Sequence, residues 1–155
     1  MATELRQEIK QTRPFASVEH EAHVAVGRSW AVLDHAFAEA LQPFGITPTQ
    51  YNVLRILRGA GEKGLCRGEV MDRMISRVPD ATRLLDRIES AGLIERKRDT
   101  ADRRFVTTRI TEQGLRLLQD LDAPVQELHQ RHFGALTKGE TRKLLELLGR
   151  VREAV

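Results

Sequence analysis

The sequence predicts a mainly helical chain of the α+β class, with long helices at both ends and, between them, short helices that finish in a two-stranded β-hairpin. Three observations carry that expectation. Apolar residues recur at steps of three and four along most of the chain, the period changes to two between Ile94 and Ile110, and capping and breaking residues stand where helices have to begin and end.

Pro14 interrupts the chain, and Ser17 is placed to cap a long helix reaching about Leu41, with Val26, Trp30, Leu33, Phe37 and Leu41 on its apolar side. Pro43 and Gly45 break the pattern. Thr47, Pro48, Thr49 and Gln50 then combine a capping hydroxyl, a proline at the first helical position and a glutamine able to reach back to the cap. Tyr51, Leu54 and Leu57 form the buried stripe of that helix, and Gly59 with Gly61 ends it. A short helix is expected from about Arg67 to Ile75, burying Val70, Met71 and Met74, with Cys66 in the capping place and Glu69 three residues on. The next helix is entered through Pro79 and closed by Gly92. Its inward side is Ala81, Leu84, Leu85 and Ile88; its outward side is Asp80, Thr82, Arg83, Asp86 and Arg87.

From Ile94 to Arg98 and from Phe105 to Ile110 the pattern is that of strands around a polar tip, Asp99 to Arg104. Thr111 caps a second long helix carrying Leu115, Leu118, Leu121, Val125, Leu128 and Phe133, in which Pro124 is expected to cause a kink or a local break. A last helix starts at Thr137, where Glu140 completes another capping box, and should bury Leu144, Leu147, Leu148 and Val151.

The 155 residues carry 25 Lys and Arg against 22 Asp and Glu, a net charge of +3 that leans only mildly toward polyanionic partners. Placement says more: between Glu95 and Arg109, the basic residues Arg96, Lys97, Arg98, Arg103, Arg104 and Arg109 face only Glu95, Asp99 and Asp102. No apolar run is long enough to span a bilayer, and the stretch MATELRQEIKQTRPF lacks the apolar core of a secretion signal. A cytoplasmic location without a membrane partner is therefore expected. Cys66, the only cysteine, has no intrachain disulfide to form. No P-loop, dinucleotide fingerprint, nucleophile elbow or HExxH stands in the sequence, so neither an enzyme nor a cofactor is expected.

Helix, helix, helix, tight turn, helix, hairpin is the order of a winged helix-turn-helix, whose second motif helix enters the DNA major groove. Such a helix needs short polar or basic side chains near its N-terminal half to reach base edges. Pro79, Asp80, Thr82 and Arg83 supply that face, with Arg83 the candidate for guanine. The alternative for Arg83 is a surface ion pair with Asp80 or Asp86. Arg103 and Arg104 at the hairpin tip are suited to a narrow minor groove, with Asp102 pairing one of them and holding the tip in shape; the alternative is a loop held by its own ion pairs. Arg67, Arg73, Arg77, Arg87 and Lys97 are further candidates for the DNA-facing surface, Arg67, Arg73, Arg77 and Lys97 as phosphate contacts.

The run VPDATRLLDRIESAGLIERKRDTADRRFVTTRITEQG, Val78 to Gly114, resembles the recognition helix, wing and following helix start of the MarR family of transcription regulators. The DRR at Asp102 to Arg104 and the T-x-x-G at Thr111 to Gly114 carry the wing signature, and with the flanking helices the resemblance covers nearly the whole chain. It implies a homodimer, with residues 15–41 and 112–155 as dimerisation helices and residues 47–111 as the DNA-binding lobe. It further implies a pseudo-palindromic site on double-stranded DNA, repression, and release by a small aromatic or anionic compound. On this resemblance Pro79, Thr82 and Arg83 fall on major-groove positions and Arg103 or Arg104 on the minor-groove arginine. Broad apolar faces at Phe15, Val18 and Leu144 to Leu148 also ask for a second copy, which would set the two reading helices about 34 Å apart.

Weaker signals remain. His23, Trp30, Phe37, Phe44 and Tyr51 are candidates for lining an effector crevice, although aromatic residues at helical spacing are commonly core. Cys66 beside a helix start invites a redox reading, against which a structural half-buried thiol is favoured. The pairs His20 with His23 and His129 with His132 have a spacing that suits a metal, but surface histidines are the commoner explanation and no metal site is expected. A winged helix used as a protein-interaction module is the rival reading of the whole, since fold alone does not establish function.

Overall fold

A computed structural model describes residues 4–98 and 106–154. A short helix, α1 (Leu5–Glu8), precedes the long α2 (Val18–Leu41); then come α3 (Pro48–Ala60), β1 (Leu65–Cys66), α4 (Arg67–Asp72), α5 (Ala81–Ser90), β2 (Ile94–Arg98), β3 (Val106–Ile110), α6 (Glu112–Phe133) and α7 (Lys138–Glu153). The caps stand where the sequence placed them. Ser17 accepts from the His20 N–H, Thr47 and Gln50 form the reciprocal box at α3, and Thr137 and Glu140 do the same at α7.

The hairpin is part of a three-stranded antiparallel sheet of order β1-β3-β2, so the expected two-stranded wing gains a strand. Leu65 pairs with Thr108 and Cys66 with Thr107, while β2 and β3 pair from Ile94 with Ile110 to Arg98 with Val106. Gly64 admits that third strand. It has a φ of 65°, and a Cβ there would lie 2.6 Å from the Thr108 carbonyl oxygen, so only glycine lets the chain approach β3 so closely.

One apolar cluster joins the short helices, the sheet and part of α6: Leu41, Tyr51, Val53, Leu54, Leu57, Leu65, Val70, Leu85, Ile88, Ile94, Leu118, Leu121 and Val125 are among its buried members. Arg58 on α3 clamps α6 through a two-bonded pair with Asp122, both contacts 3.0 Å, and holds that carboxyl below its ordinary pKa. The α6 helix runs unbroken through Pro124, so the expected local break is absent. Burial of Leu121, Val125 and Leu128 secures the helix on both sides of the proline, and packing outweighs the lost N–H bond.

Two corrections concern helix ends. The short helix expected to reach Ile75 stops at Asp72, and α5 begins at Ala81 with Asp80 as its cap, so Pro79 lies before the helix and not at its first position. A third concerns α7, none of whose described residues is buried: Leu145, Leu147 and Val151 are exposed, and Leu144 and Leu148 are half-covered. No helix among the described residues is long and apolar enough to cross a membrane.

Candidate nucleic-acid interface and adjoining cavity

The face is built on α4, the following turn and α5. Leu85 and Ile88 anchor α5 in the core, which turns Thr82, Arg83, Asp86 and Arg87 to solvent. The Asp80 carboxylate accepts from the Arg83 N–H at 2.9 Å, satisfying one of the unpaired donors of the first turn. At the start of α4 the Cys66 N–H donates to Glu69 at 2.8 Å, a bond that lowers the Glu69 pKa. The Cys66 thiol is half-buried at this cap. Arg67 donates to the Thr82 hydroxyl at 3.1 Å and so ties the first turn of α4 to the first turn of α5. The turn between them is held from α3, where the Asn52 side-chain oxygen accepts from the Ile75 N–H at 2.9 Å.

The basic run at the wing is less open than its composition suggests. Arg96 on β2 donates through Nε to Glu89 at 2.9 Å and through its terminal nitrogen to both Glu89 and Asp86, while its backbone N–H donates to the same Glu89 carboxylate. This network braces the wing against α5. The guanidinium holds Glu89 below its usual carboxyl pKa, and the two acids raise that of Arg96. The two acids read as ion-pair partners for Arg83 are thereby engaged elsewhere, Asp86 with Arg96 and Asp80 with the backbone. Lys97 pairs with Glu95 at 3.0 Å while remaining largely exposed, and Arg98 is exposed at the end of β2. Asp102, Arg103 and Arg104 lie outside the described residues, as does Phe105.

Behind the turn lies an open cavity of about 490 Å³, lined by α2, α3, the α4–α5 turn and the last turns of α6. Of the five residues expected to line a crevice, Trp30, Phe37 and Tyr51 do so. His23 is exposed and is not among the lining residues, and Phe44 packs instead against the core. Phe37 meets Tyr51 edge to face at 5.2 Å, and His129 leans over Phe37 at 6.1 Å. Arg55 donates to the Tyr51 hydroxyl at 3.2 Å with its guanidinium 5.9 Å from the ring centre. Arg77, read as a phosphate contact, also borders the cavity, as do Asp34, Asn52 and His132. His129 and His132 of α6 both border this cavity; among the described residues no group of three or more metal-ligating side chains comes together.

A family model described as MarR family matches residues 46–106, the span from the entry of α3 to the start of β3. The chain is 33% identical to the multiple antibiotic resistance protein MarR of Salmonella typhimurium over 121 residues, which make up 76% of this chain and 81% of that protein. The chain belongs to the MarR family. As a MarR-family protein it stands with transcription regulators and not with enzymes. It is also similar to the transcriptional repressor MdtR of Bacillus subtilis, at 28% identity over 75% of this chain and 74% of that one. Among solved structures it superposes with a MarR mutant from E.coli complexed with operator DNA, at a TM-score of 0.72 and 28% identity, covering 96% of this chain and 99% of that one. The mainly helical fold with its small antiparallel wing is that of the MarR family.

Proposed function

We propose that this MarR-family chain is a homodimeric repressor that reads a pseudo-palindromic operator with α5 and the wing and is released by a small aromatic or anionic compound. The observation that carries DNA reading is the α5 face: Asp80 is turned to the cap, Asp86 is bonded to Arg96, and Thr82, Arg83 and Arg87 are exposed on the outward side. Pro79 sets the approach to that face, Arg67, Arg77 and Lys97 flank it for phosphate, and Arg103 and Arg104 with Asp102 serve the minor groove. The relative in E.coli was solved on operator DNA, and the relative in Bacillus subtilis bears the name of a repressor.

The dimer rests on apolar surface that the single chain leaves open on α2 and α7: Val18 is 73% exposed, Val26 51%, Trp30 52%, Leu145 65% and Val151 60%. Effector release rests on the cavity, whose aromatic walls, with Arg55, Arg77 and Asp34 as charged groups, suit a flat compound and which touches both the turn and α6.

Selection of duplexes from a random pool by the purified chain, followed by titration against salt, tests the reading. A palindromic consensus bound far more tightly than random duplex, with affinity falling steeply as salt rises, is the expected result. Equal, weak binding to selected and random duplexes would replace it with the protein-interaction module.

A further inference from the structure

The segment from Arg73 to Asp80 joins the two helices of the motif without regular structure. Its first two residues close back onto α4, with the Arg73 N–H on the Val70 carbonyl and the Met74 N–H on the Met71 carbonyl. Beyond them the side chain of Asn52 reaches across from the middle of α3 and accepts from the Ile75 N–H. Ile75 itself contributes little packing, since it is 75% exposed. The neighbouring anchors differ in kind: Met74 packs partly against the core, and Arg67 with Thr82 links the starts of the two helices. Among the described residues, the first half of the turn is therefore held by a polar bond from a helix that belongs to neither half of the motif.

We infer that Asn52 is a positioning residue for DNA reading: its side-chain carbonyl sets the path of the turn and through it the angle at which α5 meets the groove. The inference rests on the reading of α5 as the DNA-reading helix. Asparagine suits the task because an amide oxygen accepts a backbone N–H without bringing a charge to a half-buried place. A bond of this kind acts on geometry more than on stability. Releasing the Ile75 N–H exposes it to water, so the fold keeps its core while α5 gains orientational freedom that must be lost again on DNA. Asn52 and Ile75 also line the cavity, so the bond lies on the cavity side of the turn, away from Arg83.

The test compares Asn52→Leu, which keeps the bulk and removes the acceptor, with Asn52→Asp, which keeps an acceptor. Two quantities are measured for each: amide exchange at Ile75, and affinity for the duplex the unaltered chain selects. Asn52→Leu is expected to speed exchange at Ile75, to lower the thermal midpoint only slightly, and to weaken duplex binding about three- to tenfold, the cost of fixing α5 again on DNA. Asn52→Asp should restore slow exchange and most of the affinity. Unchanged affinity in Asn52→Leu, or equal loss in both variants, overturns the positioning role. If the unaltered chain selects no duplex, it is the DNA reading that fails. The exchange measurement still judges the bond in that case, and slow exchange retained in Asn52→Leu refutes it.

Discussion

Leu54 on α3 and Leu147 on α7 occupy the same kind of place in the sequence, one leucine in an apolar stripe three or four residues from the next. Leu54 is fully buried, whereas Leu147 is 44% exposed. The same contrast separates the winged lobe from the terminal helices: α3, α5, the sheet and the first half of α6 find their partners within the chain, while α7 and the N-terminal half of α2 keep apolar side chains in solvent. Hydrophobic period reports that a face will be covered, and it does not report by which chain. The lobe closes a core of its own, whereas the terminal helices leave apolar surface open.

Substitutions at these two leucines separate the regions most sharply. Leu54→Ala is expected to cost about 2–5 kcal/mol in denaturant unfolding, as large-to-small changes in closed cores do. Leu147→Asp should instead leave the helix content intact and shift sedimentation equilibrium from dimer to monomer. A Leu147→Asp chain that stays dimeric would remove α7 from the interface and break the comparison.

A smaller effect belongs to the reading face. Arg83→Ala should cost about 1–3 kcal/mol of discrimination at one base of each half-site while the dimer and its melting stay unchanged. Loss of folding together with all sequence preference would make Arg83 structural.

The smallest belongs to the brace. Because Arg96 lowers the Glu89 pKa from 4.5, the brace contributes its stability in full above that value and loses it as pH falls toward the lowered native pKa. Arg96→Gln should therefore remove about 1 kcal/mol or less at neutral pH, and its unfolding curve should change less on acidification than that of the unaltered chain. An equal acid response in both would assign the pH dependence to other carboxyls, Asp122 with Arg58 first among them.

What could be read beforehand follows from the range of the interactions. The capping boxes at Thr47 and Thr137, the strands from Ile94 and to Ile110, and the inward side of α5 are local patterns, and they stand in the structure as expected. The third strand was missed because Leu65 and Cys66 are too few to show a period; Gly64, between a helix end and an apolar residue, was the available signal. Arg96 counted as part of a basic run because its partners lie on another element. The cavity was legible only through its aromatics. Arg55, Asn52 and the pair His129 and His132 come from helices far apart in the chain, and no periodicity connects them.

Gly114 carries a mechanical consequence. The Thr111 hydroxyl donates to the Gly92 carbonyl at 2.7 Å and accepts from the Gly114 N–H, and a Cβ on Gly114 would stand 2.3 Å from the Leu93 carbonyl oxygen. The first turn of α6 is thus pinned to the base of the wing, and the helix is held again further on, where Arg58 clamps Asp122 and Leu118, Leu121 and Val125 enter the core. At about 1.5 Å per residue its far end, Phe133, is roughly 17 Å beyond that clamp. His129 and Phe133 at the far end border the cavity. Any movement at the cavity end of α6 has to pass that clamp before it reaches the wing.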